Sequence, residues 1–303
     1  MRCRNRSGEE IAAFDGQGSV IAFLYDRPLG RGLLRVLIRP WVSRAAGWLL
    51  NRRISRGMIA PFVRKNHIDL TEYEGAPYRS YNAFFCRRIK PGRRPIDPDP
   101  DHLIAPCDAK LSAYPIAPDA HFQIKGVDYT MESLLRDAST AEKYRGGMLL
   151  LFRLTVDDYH HYCYPADGRV GTPVRIPGVY HTVNPHAAGR RAIYRENTRE
   201  YTVLSTERFG DVLMMEVGAM MVGRIVNLPG CTNAVRGAEK GWFEFGGSTV
   251  LLCLEPGVLT PDDDLLRNTA DGFETVVRMG ERVGKSGCVR IEQPVVESAG
   301  AGV

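Results

Sequence analysis

The chain has 303 residues, of which 44% are hydrophobic and 25% charged, with a net charge of +5. This composition is typical of a folded globular protein and excludes wholesale disorder, and no apolar run is long enough to span a bilayer. The basic beginning of the chain is not followed by the apolar stretch of a signal peptide, so we expect a cytosolic protein.

The seven cysteines include no pair with CxxC spacing. An odd number of cysteines without such a pair argues against a disulfide framework and against a cysteine zinc site. We therefore predict reduced thiols and no bound metal.

Positive charge is concentrated between Arg27 and Asn66. This stretch contains nine arginines, Lys65 and no acidic residue, whereas the rest of the chain contains more acidic than basic side chains. Large apolar residues are interleaved with the arginines. A basic surface of this kind attracts anionic membranes and nucleic acids alike.

The same stretch has the periodicity of two helices, and Pro40 begins the second one. The first helix carries its arginines in one stripe, formed by Arg31, Arg35 and Arg39. The second places Trp41 and Trp48 on an apolar face, and a basic amphipathic helix with tryptophans is typical of a membrane interface. Packing on the core and a nucleic-acid surface remain alternatives, although the chain lacks a helix-turn-helix or RNP signature.

The pattern changes beyond the basic stretch. Residues 70–100 are rich in proline, glycine and arginine and predict an irregular surface connection. Residues 130–144 predict a helix that Thr130 caps. After this helix, apolar and β-branched runs predict successive strands: 148–156, 200–217 (a hairpin), 219–228, 241–245 and 249–256.

The predicted strands follow one another without helical crossovers, which favours an antiparallel sheet. We therefore predict an α+β fold. It consists of an amphipathic helical arm over residues 1–70 and an antiparallel β-rich core over residues 71–303.

A glycine pair carries the first candidate chemistry, because Gly246 and Gly247 precede Ser248 between two predicted strands. Two glycines permit a strained backbone, and a serine hydroxyl attacks the carbonyl of its preceding residue once a base removes its proton. The segment is neither a GxSxG elbow nor a phosphate loop. A plain glycine turn is the alternative interpretation.

Two histidines and one carboxylate are the other candidates. His160 and His161 follow the predicted strand 148–156, and histidine is suited to general acid or base chemistry. Adjacent residues of a strand point to opposite faces, so at most one of the two faces a given site. Asp108 follows an apolar run. Surface histidines and a turn aspartate are the alternatives.

Taken in order, these segments resemble one family, the phosphatidylserine decarboxylases, which are self-cleaving proenzymes that carry a pyruvoyl group. The resemblance extends from about Tyr81 to Gly284. It is carried by short segments in a fixed order: 82–85 (NAFF), 90–96 (KPGRRPI), 105–108 (APCD), 158–160 (DYH), 197–199 (NTR), 216–219 (EVGA), 222–223 (VG), 245–249 (FGGST) and 277–281 (VRMGE).

This resemblance implies that Ser248 becomes the pyruvoyl group after cleavage between Gly247 and Ser248. The products are a β chain of residues 1–247 and an α chain of residues 248–303. The implied reaction joins the pyruvoyl ketone to the amine of phosphatidylserine as a Schiff base, from which carbon dioxide leaves to give phosphatidylethanolamine. It requires no metal and no diffusible cofactor.

The resemblance also assigns the other site residues. Asp108 matches the acidic member of the family's self-cleavage triad, and His160 matches the histidine associated with decarboxylation. The chain departs from the family at Cys163, where many members carry the histidine that is the triad base. A buried thiol is a poor base. We predict that His181 takes this place after pairing of two strands, with Asp108 orienting its ring. A histidine merely packed in the sheet is the alternative.

A diacyl substrate is found only in bilayers, so the resemblance favours the membrane interpretation of the arm. We expect a peripheral protein at the cytoplasmic face of an anionic membrane, with α and β chains held as a heterodimer and no nucleic-acid partner. A homo-oligomer is left open. The alternative functions are a soluble pyruvoyl-dependent amino-acid decarboxylase, a serine hydrolase with an intact chain and a non-catalytic membrane-binding protein.

Overall fold

The structure is a computed structural model that describes residues 2–12, 18–220, 224–246 and 248–287. Short 3-10 helices form at Arg53–Met58 and Leu70–Glu72. The α-helices of the described residues are α1 (Gly18–Asp26), α2 (Pro28–Leu37), α3 (Pro40–Leu50), α4 (Ile59–Lys65), α5 (Tyr81–Phe85), α6 (Met131–Leu135), α7 (Ala138–Glu142), α8 (Pro185–Ala188), α9 (Ile193–Glu196) and α10 (Asp263–Ala270).

Strands make up most of the remaining regular structure. They are β1 (Arg2–Arg4), β2 (Glu10–Ala12), β3 (His102–Ile104), β4 (Ala109–Pro115), β5 (His121–Ile124), β6 (Val127–Thr130), β7 (Met148–Leu154), β8 (His161–Cys163), β9 (Gly168–Val170), β10 (Val174–Ile176), β11 (Arg199–Ser205), β12 (Asp211–Gly218), β13 (Ile225–Asn227), β14 (Asn233–Ala234), β15 (Glu239–Phe243), β16 (Ser248–Leu254), β17 (Leu259–Pro261), β18 (Glu274–Val277) and β19 (Arg282–Ser286).

One large sheet organises the core, in the order β14-β9-β11-β12-β16-β7-β4-β18-β1-β2, with β10 paired to β11. Its pairs are antiparallel except for β1 with β18. Every residue of β16 is buried, because the strand lies between β12 and β7 in the middle of the sheet. The α+β prediction with an antiparallel β-rich core is confirmed.

The structure confirms some of the predicted helices and strands and corrects others. The hairpin over 200–217 is confirmed, and its turn contains Gly210 with a φ of +60°. The helix predicted over 130–144 is divided into α6 and α7, because Arg136 between them adopts a left-handed conformation. Thr130 caps α6 in a capping box, as predicted. Part of the predicted strand 219–228 lies outside the described residues, and β13 is its described portion.

The amino-terminal region is not helical throughout. Its first described residues, 2–12, form β1 and β2 and extend the edge of the large sheet. This edge position depends on pairing with β18, more than 260 residues away in sequence, which local periodicity does not reveal. The domain boundary at residue 70 stays a prediction.

Helices α1 to α4 pack one face on the core and leave the other exposed. Ile21, Leu24 and Leu34 are buried against Ala187, and Leu50 joins a second cluster around α5. Trp41 and Trp48 are 56% and 61% exposed. No helix among the described residues is long and apolar enough to cross a membrane.

The prediction of a surface connection over residues 70–100 is wrong at α5. Tyr81, Phe84 and Phe85 of this helix are buried, and they form an aromatic cluster with Phe62 and Phe245. Ser80 caps the helix by accepting a hydrogen bond from the backbone N–H of residue 83. The prediction missed this short helix because the charged and proline-rich residues that follow it dominate the composition of the segment.

Candidate active site

Ser248 is the first residue of β16, where its backbone pairs with Gly218 of β12 and Leu154 of β7. Its side chain is fully buried, and its Oγ has no hydrogen-bond partner among the described residues. Gly246 has a φ of +129°, a conformation that side-chain-bearing residues rarely adopt. The predicted strain before the hydroxyl is therefore found at Gly246, whereas Gly247 lies outside the described residues.

His160 is fully buried next to the segment that leads to Ser248. The centroid of its ring lies 4.0 Å from that of Phe85, and the Phe85 centroid lies 5.3 Å from that of Phe245. Its Nδ1 lies 2.9 Å from the carbonyl oxygen of Asp158 and must donate, since a carbonyl only accepts. The proton on Nδ1 leaves the lone pair of Nε2 free, and Nε2 is buried without a partner among the described residues.

The electrostatics of this pocket keep the imidazole neutral. Burial is the main cause, and the charge of Arg87 adds to it, so that the pKa of His160 is lowered to about 3. A neutral imidazole with a free Nε2 is the form that accepts a proton. The ring is therefore a neutral imidazole with a free Nε2, and its low pKa means that it holds an added proton only weakly while it stays buried.

A buried ion pair fixes the turn that holds His160. The Asp158 carboxylate accepts hydrogen bonds from the Thr155 backbone N–H at 2.6 Å and from the Lys110 ammonium at 2.6 Å. Burial opposes the charge of Lys110, but the nearby Asp158 and Asp157 carboxylates outweigh it and raise its pKa. These contacts of the Asp158 carboxylate orient the Asp158 carbonyl oxygen. The hydrogen bond to that oxygen sets the tautomer of His160.

Asp108 faces an arginine instead of a histidine. Arg94 donates to both carboxylate oxygens at 2.6–3.1 Å, and the Met279 backbone N–H donates to Oδ1 at 2.9 Å. Burial opposes the charge of Arg94, but the hydrogen bonds to Asp108 outweigh it and raise the guanidinium pKa. The bidentate pair fixes the orientation of the Asp108 carboxylate.

Cys163 lies in β8 and is buried. Burial is the main cause and the Asp108 charge adds to it; against a backbone hydrogen bond that acts in the opposite direction, they raise the pKa of Cys163 to about 12. The thiol is therefore protonated at neutral pH and is not a base. The Cys163 backbone N–H donates to the Pro106 carbonyl oxygen at 2.8 Å, so position 163 lies beside the segment that carries Asp108, as the family pattern implies.

His181 is buried elsewhere than predicted. The Tyr25 hydroxyl lies 2.9 Å from its Nδ1, and Glu196 lies 3.2 Å from its Nε2, so both ring nitrogens are engaged. The expected strand pairing is wrong, because β8 pairs with β15. The expected contact with Asp108 is absent from the described residues, since Arg94 occupies that carboxylate and Glu196 holds the ring.

His161 is excluded from the same role by its contacts. Its Nδ1 lies 2.5 Å from Glu239, and its Nε2 lies 3.2 Å from the carbonyl oxygen of Cys86. The ring is stacked on Tyr159 and Trp242. It therefore lies away from the environment of His160, as the alternation of a strand predicts.

Comparison with known proteins agrees with this geometry. The phosphatidylserine decarboxylase family model matches residues 81–285, more than half of the chain. The phosphatidylserine decarboxylase proenzyme 2 of Clostridium acetobutylicum is 41% identical over 267 residues, which cover 88% of this chain and 91% of that protein. The phosphatidylserine decarboxylase proenzyme of Chlamydia caviae is 38% identical over 291 residues, which cover 94% and 96%.

The chain belongs to the phosphatidylserine decarboxylase family. The match contains Ser248, Asp108, His160 and the Cys163 position, whereas helices α1 to α4 precede it. The aligned portion of each relative is longer than the family match, so it includes sequence outside the catalytic core.

Three features of this family member escaped sequence reasoning. Phe85 supports the His160 ring, Arg94 binds Asp108, and Lys110 clamps Asp158. The Arg94 and Phe85 positions lie within segments that carry the family resemblance, which is a usable signal. Lys110 had a weaker signal: a lysine within an otherwise buried strand requires a buried acidic partner.

The structure predicts the protonation state of His160. In Ser248→Ala protein with ¹⁵N-labelled histidine, we expect NMR to find the proton on Nδ1 and a neutral ring down to about pH 5, because burial lowers its pKa well below the ordinary 6.5. His160→Gln assigns the signal. A ring that titrates near pH 6.5 would contradict the buried neutral state.

Proposed function

We propose that this chain is a self-processing decarboxylase that converts phosphatidylserine to phosphatidylethanolamine and carbon dioxide. The single observation that carries the proposal is the pair of buried, unpartnered atoms in the family's site, Ser248 Oγ and His160 Nε2. A buried polar atom without a partner is costly, and a catalytic role is one of the explanations for its presence. A serine hydrolase is less well supported, because Ser248 in the intact chain is inaccessible to an external substrate.

The proposed processing reaction begins at Ser248. Its Oγ attacks the carbonyl carbon of residue 247, an ester forms, and the peptide bond between residues 247 and 248 breaks. The proton that leaves Oγ ends on the new amino group of Ser248. Loss of the α-hydrogen as a proton breaks the Cβ–Oγ bond, and the oxygen leaves as part of the new carboxylate of residue 247. The dehydroalanine that remains adds water and loses ammonia to give the pyruvoyl ketone.

We assign the acceptance of the Ser248 proton to His160 Nε2. This nitrogen has a free lone pair, whereas both ring nitrogens of His181 are engaged and Cys163 holds its proton. The assignment of this role to His181 stays a prediction that the same experiment tests. In the proposal, Asp108 contributes a fixed negative charge beside position 163 rather than a direct contact with the base.

The residues around Ser248 fit a pyruvoyl group, because the chain supplies its precursor hydroxyl in a closed pocket. The group supplies a ketone that takes the substrate amine and accepts the electrons released as carbon dioxide leaves. His160 is then placed to move protons, and the Lys110–Asp158 pair keeps its Nδ1 proton in place. Phe85 limits the access of water to the imidazole.

The two chains expected after cleavage remain associated in this proposal. β16 begins the α chain and pairs with β12 from Ser248 to Cys253, and it pairs with β7 along its whole length. Cleavage before Ser248 leaves both ladders intact. We therefore expect a heterodimer that separates only on denaturation.

We also propose that the protein works at the cytoplasmic face of an anionic membrane. Ten of the fourteen large hydrophobic side chains exposed in the described residues lie between residues 20 and 58. Exposed arginines, among them Arg31, Arg35 and Arg44, accompany them. Apolar surface rimmed by arginines suits a headgroup interface, and the cytoplasmic leaflet is negatively charged.

Mass spectrometry tests the processing reaction. We expect the purified protein to contain chains of residues 1–247 and 248–303, with the second blocked at its amino terminus, and we expect Ser248→Ala to remain whole. Thr249→Ser keeps the nucleophile and serves as a matched control that still cleaves. An active wild-type protein with a single intact chain would disprove the pyruvoyl assignment.

Self-cleavage in three variants tests the base. We expect His160→Gln to block cleavage, because it removes the free imidazole nitrogen, and we expect His181→Gln to cleave at least partly. The third variant is His160→Gln/Cys163→His. Recovery of self-cleavage in it would show that an imidazole at position 163 can replace His160 as the base. Normal cleavage in His160→Gln together with its loss in His181→Gln would return the role to His181.

Vesicle binding tests the membrane location. Replacing Arg31, Arg35 and Arg39 by glutamate should weaken binding to anionic vesicles by at least about tenfold, and the difference should shrink at high salt because screening weakens the attraction. Arg175→Glu, on the exposed side of β10, is the control. Unchanged binding of the triple variant would mean that the arm acts only by packing on the core.

A further inference from the structure

An open cleft separates the amino-terminal helices from the segment after α8. Its volume is about 680 Å³. One wall is formed by α1 and α2, and the other by the chain between α8 and α9. The lining residues are Tyr25, Asp26, Arg31, Gly189, Arg190 and Arg191.

The cleft has an excess of positive charge. Among the described residues that line it, Asp26 is the one carboxylate; it lies 2.7 Å from Arg190 Nε and 3.0 Å from His186 Nε2, so its charge is already compensated. The guanidinium groups of Arg31 and Arg191 form no hydrogen bond or ion pair with any described residue. Two arginines, one from each wall, are therefore available to a ligand.

A second carboxylate, Glu196, is within electrostatic reach of Arg191 and is also paired. Arg191 acts electrostatically on Glu196, but Glu196 is paired with His181 at 3.2 Å. Neither acidic group is free to neutralise Arg31 and Arg191. The ligand that fits the cleft is an anion.

The two walls are held in place before any ligand binds. The side chains of Leu24 and Leu34 pack with Ala187 in one buried cluster. Gly30 permits the close contact of α1 and α2, because a Cβ there would lie 2.0 Å from the Phe23 carbonyl oxygen. The Tyr25 hydroxyl joins the arm to His181. A preorganised cleft loses little entropy on binding.

We propose that this cleft binds the phosphodiester group of a membrane phospholipid. Guanidinium groups match phosphate oxygens in charge and geometry. A membrane source is favoured over free phosphate because α2, which supplies Arg31, also exposes Leu29, Leu33 and Val36. The inference depends on the membrane location proposed above but not on the chemistry of Ser248.

Vesicles of phosphatidylcholine alone provide the test. They have phosphodiester groups but no net charge, so they do not attract a basic surface in general. In Ser248→Ala protein, which cannot form a pyruvoyl group, Arg31→Gln/Arg191→Gln should reduce vesicle binding by about fivefold or more. The matched control Arg35→Gln/Arg44→Gln removes the same charge from the arm outside the cleft and should change binding by less than about twofold.

The outcomes are separable. Three results would overturn the proposal: equal losses of vesicle binding in the cleft and control variants, no loss in the cleft variant, or no binding of Ser248→Ala protein to these vesicles. Equilibrium dialysis with inorganic phosphate distinguishes the two sources of the anion. If Arg31→Gln/Arg191→Gln loses phosphate binding while its vesicle binding is unchanged, the cleft binds free phosphate and the phospholipid proposal is overturned. Absence of binding even to anionic vesicles would refute the membrane location and leave the decarboxylase proposal untouched.

Discussion

The closed burial of Ser248 at the start of a central strand is the constraint on which the rest of the structure depends. β12 and β7 hold β16 from both sides, so the hydroxyl is fixed beside its own preceding backbone and shielded from water. Burial suits a reaction between a side chain and its own chain, since no external substrate must enter. The later reaction with a lipid has the opposite requirement. The proposed cleavage before Ser248 is compatible with both, because it leaves the hydrogen bonds of β16 to β12 and β7 in place.

Two buried ion pairs lie around this site. Lys110 pairs with Asp158, and Arg94 pairs with Asp108. Removing one member of such a pair leaves an uncompensated buried charge, at a cost of about 3–5 kcal/mol. The pairs therefore serve the fold and the site together, since the same contact that satisfies Lys110 also orients the carbonyl oxygen that holds His160.

The amino-terminal arm is packed on the core along one side and uncovered along another. One side of α2 is packed on the core through Leu34, while Leu33 and Val36 remain exposed on another side. Packing fixes the arm relative to the catalytic core, and the uncovered apolar and basic surface is left for a further contact. His181 belongs to this junction, because it links Tyr25 of the arm to Asn197, which also binds the Gly218 carbonyl oxygen opposite Ser248.

The sequence by itself determined the α+β class, the hairpin of β11 and β12 and the two helices divided at Pro40, and it singled out Ser248 as the candidate catalytic residue. These features depend on local periodicity, on the restraint of proline and on short ordered motifs. The tertiary structure alone decided which side chains meet. Arg94 binds Asp108, and His181 is held by Tyr25 and Glu196. The separation of these residues along the chain does not reveal their contacts, which form only in the folded protein. Local patterns specify the elements, whereas the partners of a buried polar side chain are fixed only when those elements pack.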